Sequence, residues 1–409
     1  MRCRARAGRR GACGYNLGED RRVNNFSAAL NAYIEQVREW GQREVRRAGL
    51  EADRNGAPLP PDHPYFAAYV DFRRRHPVPA DDGAVPEGPA VRMAAINEEN
   101  AYWDRGMGVA APGPGLPAPI VTAAGTPEQR ERFLGPFRGT DIPRWGSFAL
   151  TEPSGGSDTA AFRTRATRTD RGYLLNGAKC FIGNAARADW VLVQANLDPE
   201  KGRAGQRSFF VERGNRGMTG IKIEKKMGLR AYESVSFILE DCEVPHDNIL
   251  GGERPERTSK SSAYGATMGT LNTTRVGVAA SAVGLARSAY DEALNFATQS
   301  GAFKSIRVRD RLEVMYRQLR AAWLMTLRAA WKADNRIPNI VDASMAKVFA
   351  AETAQDLASA GMEIVGLEAG AGHHLVEKLF RDAKALNIVE GTGQIQRIIM
   401  ARNLVGLPR

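Results

Sequence analysis

Ile388-Val389-Glu390-Gly391-Thr392-Gly393-Gln394-Ile395-Gln396-Arg397 sets one carboxylate at a break between two helical stretches. Gly391 follows the acid at once, and Thr392 is a residue type that restarts a helix by capping it. An acid in a glycine turn against a helix N-terminus can face a ligand while the main chain around it contacts that ligand. Alone, the stretch reads first as a capping acid on a solvated loop. Its weight comes from what lies upstream.

From about residue 256 to the end the periodicity is helical, over roughly 270–299, 308–334, 340–364 and 376–402. The first of these is crowded with small residues, Val276 to Gly284. A helix apolar nearly all round is buried in a bundle or a subunit contact. From about 147 to 255 the period switches to two. Gly172–Gly177, Trp190–Gln194, Ser208–Glu212 and Ser234–Leu239 read as short strands, with Asn176-Gly177 as a tight-turn signal. Antiparallel β structure, barrel or sandwich, is expected there. From about 24 to 146 the pattern is again helical: Phe26, Leu30, Tyr33, Ile34 and Val37 recur at helical spacing, and Thr126-Pro127-Glu128-Gln129 is a capping-box start. Loops interrupt this zone at Ala57–Pro64 and at Pro112–Pro119. The expected class is therefore α+β and multidomain. A basic tail (1–23), expected to be disordered, precedes a helical domain (24–146), a middle antiparallel β domain (147–255) and a C-terminal four-helix-bundle domain (256–409).

The bulk numbers agree. At 409 residues the chain is too long for one compact core. Composition is 43% hydrophobic and 25% charged, that of an ordinary globular protein, and no apolar run is long enough to span a bilayer. The arginine-rich start lacks the apolar core of an export signal. Net charge is +11 at pH 7, but no recognition helix, aromatic-basic ladder or zinc spacing supports nucleic-acid binding. An anionic small molecule or an acidic carrier protein is the expected partner. Cys3, Cys13, Cys180 and Cys242 form neither a disulfide framework nor a metal site, which suits a reducing cytoplasm. His373 and His374 lack further ligands at metal spacing, so no metal is expected.

Helical zone, small β zone and helix bundle, in that order, resemble the acyl-CoA dehydrogenase architecture. Two blocks carry the likeness. One is Phe148-Ala149-Leu150-Thr151-Glu152-Pro153-Ser154-Gly155-Gly156-Ser157-Asp158. The other runs from Val376 through the Glu390 stretch to Arg402, and a Val244-Pro245 strand end lies between them. The resemblance implies FAD as cofactor and Glu390 as the base that takes the α-proton of an acyl thioester. It implies cofactor contacts from Phe148, Leu150, Thr151, Gly156, Ser157, Phe181, Gly183, Thr392, Gln394 and Arg402. It implies substrate contacts from Ser157, Arg275 and Gly391. Chemistry supports the outline: side chains accept no hydride, so an organic cofactor is required, and the proton needs a fixed base across the substrate from it. Burial would raise the pKa of Glu390 and strengthen it as a base. The family's second location for its base falls in Leu271-Asn272-Thr273-Thr274-Arg275, which carries no acid. In the family the thioester carbonyl is polarised by a flavin ribityl hydroxyl and the N–H of the base.

The chain departs from the family pattern in places. Gly183 stands where a Thr or Ser usually bonds the flavin N5. The arginine that reaches a neighbouring subunit's flavin diphosphate is missing from Ser300-Gly301-Ala302-Phe303-Lys304, with Lys304 or Arg307 as substitutes. The paired-glycine motif is altered to Gly366-Leu367-Glu368. The expectation is an FAD-dependent α,β-dehydrogenase of acyl-CoA or acyl-carrier-protein, passing electrons to an electron-transfer flavoprotein or to oxygen. A homotetramer or homodimer is expected. Two alternatives stay open: a flavin oxidase or monooxygenase acting on a non-thioester, and a flavin-poor, non-catalytic assembly subunit.

Overall fold

Ser27 opens the first helix, its Oγ accepting from the Leu30 N–H (3.2 Å). The computed structural model describes residues 26–80, 87–253 and 263–406. The tail expected over residues 1–23 lies outside them, as does the start of the C-terminal zone at 256. The N-terminal layer comprises α1 (Ala28–Trp40), α2 (Arg46–Asn55), α3 (Pro64–Arg75), α4 (Pro89–Ala110), α5 (Ala118–Ala124) and α6 (Pro127–Leu134). Leu30, Tyr33 and Val37 point inward, as their spacing requires. The capping box of α6 forms in both directions, Thr126 Oγ1 with the Gln129 N–H and Gln129 Oε1 with the Thr126 N–H, each at 3.2 Å.

α4 is not one helix. Asp104 has φ −168° and ψ 114°, and its Oδ1 caps the Met107 N–H at 2.8 Å. No glycine or proline marks this break. Asp104 is drawn out by a buried ion pair with Lys378 (2.6 Å).

The β zone forms one curled sheet from β1 (Gly146–Ala149), β2 (Arg165–Thr169), β3 (Gly172–Gly183), β4 (Trp190–Asn196), β5 (Gln206–Glu212), β6 (Met218–Ile223) and β7 (Ser234–Pro245). The order is β1-β4-β2-β3-β7-β6, with β5 on β4. Most pairings are antiparallel, as expected, but β1 and β2 both run parallel to β4. The Asn176-Gly177 reading needs correction: the pair does not turn the chain but lies inside β3 at a bulge against β7. Gly177 (φ 155°) leaves room there for Thr164, whose Oγ1 would stand 2.5 Å from a Cβ. The β2–β3 hairpin turns instead at Asp170 and Arg171. A second register shift, between Lys179 and Ile182, turns Phe181 out of the sheet with φ 59°.

Among the described residues the C-terminal zone contains α7 (Ala263–Gln299), α8 (Ile306–Asp334), α9 (Ile340–Val365), α10 (Leu375–Leu386) and α11 (Gly393–Leu404). The small residues of α7 serve the bundle core rather than only a subunit contact. Val276, Ala279, Ala280, Ala282 and Val283 are buried against α8 and α9 side chains. Gly284 lets α4 cross so closely that a Cβ would stand 2.0 Å from the Glu98 carbonyl oxygen.

Candidate active site

The turn between α10 and α11 holds Glu390 in a conformation its side chain must be forced into. Its φ is 53° and that of Gly391 is 93°. A non-glycine residue in this region costs about 1 kcal/mol or more and persists only where the surroundings dictate it. Here they do. Lys347, fully buried on α9, donates its Nζ to the Gly391 carbonyl (2.8 Å), and Gln396 Nε2 donates to the same oxygen (3.2 Å). The Asn387 carbonyl receives the Gly393 N–H (3.0 Å), and Thr392 caps α11 through the Ile395 N–H (3.4 Å).

Glu390 as a residue is half-buried, yet its Oε2 is sealed from solvent and has no hydrogen-bond partner among the described residues. The Glu390 N–H likewise meets no acceptor among them. Burial pushes the carboxyl above the usual carboxylate range, against the pull of a Thr274 hydrogen bond and of Arg105, Lys347 and Arg275. Burial dominates for the cations too. Lys347 is pushed down to about 8, and both Arg105 and Arg275 are lowered, each opposed by Glu390. The arrangement is a desolvated acid inside a cage of positive charge. Arg275 is buried beside Glu390.

The block from Phe148 divides into a core part and an open part. Phe148 packs into the core with Trp190, Leu192 and Phe210, and Leu150 packs against that cluster, so both side chains are committed to it. Glu152 is scaffold. Its carboxylate accepts from the Arg163 N–H (2.6 Å), the Thr164 N–H (3.0 Å) and Lys179 Nζ (2.9 Å). Lys179 also donates to the Leu150 carbonyl (3.0 Å), and the Cys180 N–H to the Thr151 carbonyl (3.1 Å). These bonds strap the segment to β3. Beyond it Ser154, Gly155, Gly156 and Ser157 are exposed, and Gly155 has φ 147°. Phe181 is 68% exposed and takes no part in the β-core. Gly183 donates no side chain; a Cβ there would stand 3.9 Å from the Tyr232 ring. Gln394 and Arg402 lie on exposed faces of α11.

Sequence reasoning missed Lys347, Arg105 and Tyr232. Lys347 had a signal: Ala343, Ala346, Ala350 and Ala351 around it mark its helix face as core. Arg105 and Tyr232 had none.

An exposed aromatic on a strand edge, an exposed glycine-serine loop with open space at Gly155, and a sealed carboxylate oxygen lacking a partner among the described residues fit a flavin and its substrate. Such a site on such a fold defines a flavin-dependent dehydrogenase acting on CH–CH bonds. The chain belongs to the acyl-CoA dehydrogenase family, whose cofactor is FAD. Family models described as "Acyl-CoA dehydrogenase, middle domain" and "Acyl-CoA dehydrogenase, C-terminal domain" match residues 147–242 and 264–405. The short-chain specific acyl-CoA dehydrogenase of Megasphaera elsdenii is 33% identical, covering 92% of this chain and 97% of the relative. A 3-(aryl)acrylate reductase of Clostridium sporogenes is 35% identical over 73% of this chain and 78% of its own. The solved structure of butyryl-CoA dehydrogenase from Megasphaera elsdenii superposes with a TM-score of 0.82 at 28% identity, covering 93% of this chain and 99% of that one. Among the described residues no helix is long and apolar enough to cross a membrane.

Proposed function

We infer that the protein oxidises an acyl thioester at its α,β-bond, with Glu390 as the group that takes the α-proton. One observation carries this role: Oε2 of Glu390 is withdrawn from water and left without a protein partner, in a turn held to that conformation by buried side chains. A carboxylate so placed is a stronger base than a hydrated one. The free N–H of Glu390 supports a second role, polarising the thioester carbonyl so that the α-proton becomes acidic. FAD, when bound, supplies the hydride acceptor. The main chain at Phe148 and Leu150, with Thr151, Gly156, Ser157, Phe181 and Gly183, would hold its ring and diphosphate; Thr392, Gln394 and Arg402 would meet it from α11. Ser157, Arg275 and Gly391 would contact substrate. The acyl carrier is coenzyme A or a carrier protein, and the zones divide as three domains near residues 146 and 255.

Anaerobic titration of the flavin-loaded protein with a panel of acyl thioesters tests the reading. Bleaching of the flavin by at least one thioester, lost in Glu390→Gln, supports it. Absence of bleaching by every thioester would sink it. Gly183 favours oxygen over an electron-transfer flavoprotein as acceptor, because it leaves that edge of the site open. Rapid reoxidation of the reduced enzyme by air checks this.

A further inference from the structure

α4 carries two side chains that the fold leaves unbonded. Asn97 and Asn100 stand three residues apart, so they share one face of the helix. Both are half-buried, and neither carboxamide makes a hydrogen bond among the described residues. Other asparagines of the chain are used differently. Asn184, Asn196 and Asn248 each donate Nδ2 to a main-chain carbonyl, at 2.8, 2.6 and 2.8 Å. Asparagine is also a weak helix former, so neither packing nor propensity accounts for the pair.

Both line a cavity of about 650 Å³. Tyr65 and Met107 give it apolar surface, Ser281 of α7 lines it too, and Arg105 lines it beyond the α4 break. Cavities of this size take drug-sized ligands, well beyond a short straight acyl chain. Contacts of α4 fix where it lies. Asn184, next to Gly183, donates to the Val109 carbonyl, between the cavity residues Met107 and Ala111. Asn97 Nδ2 stands 3.1 Å from a Cβ built on Gly277, two residues after Arg275. The cavity-lining stretch of α4 therefore spans from the turn of α7 that carries Arg275 to the strand end that carries Gly183. An acyl group lying along it would run beside both.

The polar atoms along this stretch are of both kinds. Each carboxamide offers two N–H donors and a carbonyl acceptor. Ser281 donates its Oγ proton to the Gly277 carbonyl (2.9 Å), which leaves its lone pairs as acceptors. A hydrocarbon chain laid over these groups would take water from them and return no hydrogen bond. A carboxylate would satisfy the donors but meet acceptors with which it cannot bond. A hydroxyl or an amide both donates and accepts, and so matches the wall.

We propose that Asn97 and Asn100 are specificity-determining residues, and that the preferred acyl group is a long one carrying a neutral hydroxyl or amide beyond the bond that is oxidised. This rests on the dehydrogenase reading above. The reaction stays balanced: the α-proton passes to Glu390, the β-hydride to the cofactor, a C=C bond forms, and the polar substituent keeps all its atoms.

The test uses the full-length, flavin-loaded protein and three kinds of coenzyme A thioester: plain octanoyl, octanoyl with one hydroxyl walked along the outer half of the chain, and the monothioester of octanedioic acid. Anaerobic bleaching of the flavin gives the rate. The flavin absorbance shift with the matching α,β-unsaturated thioesters gives the affinity. At least one hydroxyoctanoyl thioester should bind and react about tenfold better than plain octanoyl, the scale of the hydrogen bonds otherwise left unmade, and better than the diacid. Asn97→Leu and Asn100→Leu should each bring that ratio toward one or below it. The ratio is read within one protein, so a partial loss of folding or of flavin does not move it. Asn97→Ser and Asn100→Ser, smaller but still polar, should keep part of the preference. Three results would overturn the proposal alone: plain octanoyl equal to or better than every hydroxy derivative in the unaltered protein, a diacid that outperforms them all, or a preference that survives both leucine variants. Bleaching by butanoyl but by no octanoyl thioester would do the same. No bleaching by any thioester would overturn the dehydrogenase reading and the proposal with it.

Discussion

A group that takes a proton from carbon must be a better base than a free carboxylate, and the surroundings of Glu390 pull both ways. Burial raises its pKa; Thr274, Arg105, Lys347 and Arg275 restrain the rise. Flavin reduction should therefore increase with pH through an apparent pKa above the ordinary carboxylate value, because only the ionised form accepts a proton. Glu390→Gln should slow reduction by roughly a thousandfold, within the usual range for losing a general base, while the flavin spectrum is retained. Lys347→Met removes a cation, which leaves the carboxylate less favoured. Its rising limb should move to higher pH, and a stopped-flow pH profile that does not move would remove Lys347 from the proton economy. Glu390 was legible in the sequence because everything that defines it is local: an acid, a glycine and a helix restart within ten residues. Lys347, Arg105 and Tyr232 come from three other elements, hundreds of positions apart in places, and no spacing rule joins them.

At the scale of elements, the cofactor-facing segment is rigid because of Glu152. Removing its carboxylate would orphan the Arg163 and Thr164 N–H groups and leave Lys179 as an unpaired cation with no exposure at all. Glu152→Ala should cost about 3–5 kcal/mol in denaturant unfolding, the penalty for stranding a buried charge, and should lower flavin content. Gly284→Ala should cost about 1–3 kcal/mol, since α4 must move off α7 to admit the methyl group. Helix ends were readable where caps are local, as at Thr126. The bulge at Gly177 was not, because Asn-Gly has the same local preference in a turn and in a bulge; Thr164, thirteen residues upstream, decides it. The Asp104 break was hidden for the same reason, its cause lying on α10.

At the scale of the molecule, several large apolar side chains stand exposed on the bundle. Leu324 and Trp331 on α8 are 56% and 50% exposed, with Ile337 and Met345 beside the α8–α9 turn. A homotetramer or homodimer covering this face is the expected assembly. Light scattering should give a mass that is a multiple of 44.6 kDa, and Trp331→Glu should shift it toward that of the single chain. A monomeric unaltered protein would show that the face has another use.

The Asp104–Lys378 contact reaches further than the kink it causes. Lys378 also holds Asp382 on α10, and Asp382 accepts the Leu229 N–H just ahead of Tyr232. One ammonium thus fastens three pieces: the turn that presents Arg105, the helix that leads to Glu390, and the loop that delivers Tyr232. The cavity wall at Arg105 and the turn that carries Glu390 are mechanically wedded here. Descendants of this sequence that reshape α4 would disturb the proton-abstracting turn in the same stroke. New acyl preferences are more freely acquired through the proline-rich 112–119 loop, which touches the cavity but has no share in that fastening.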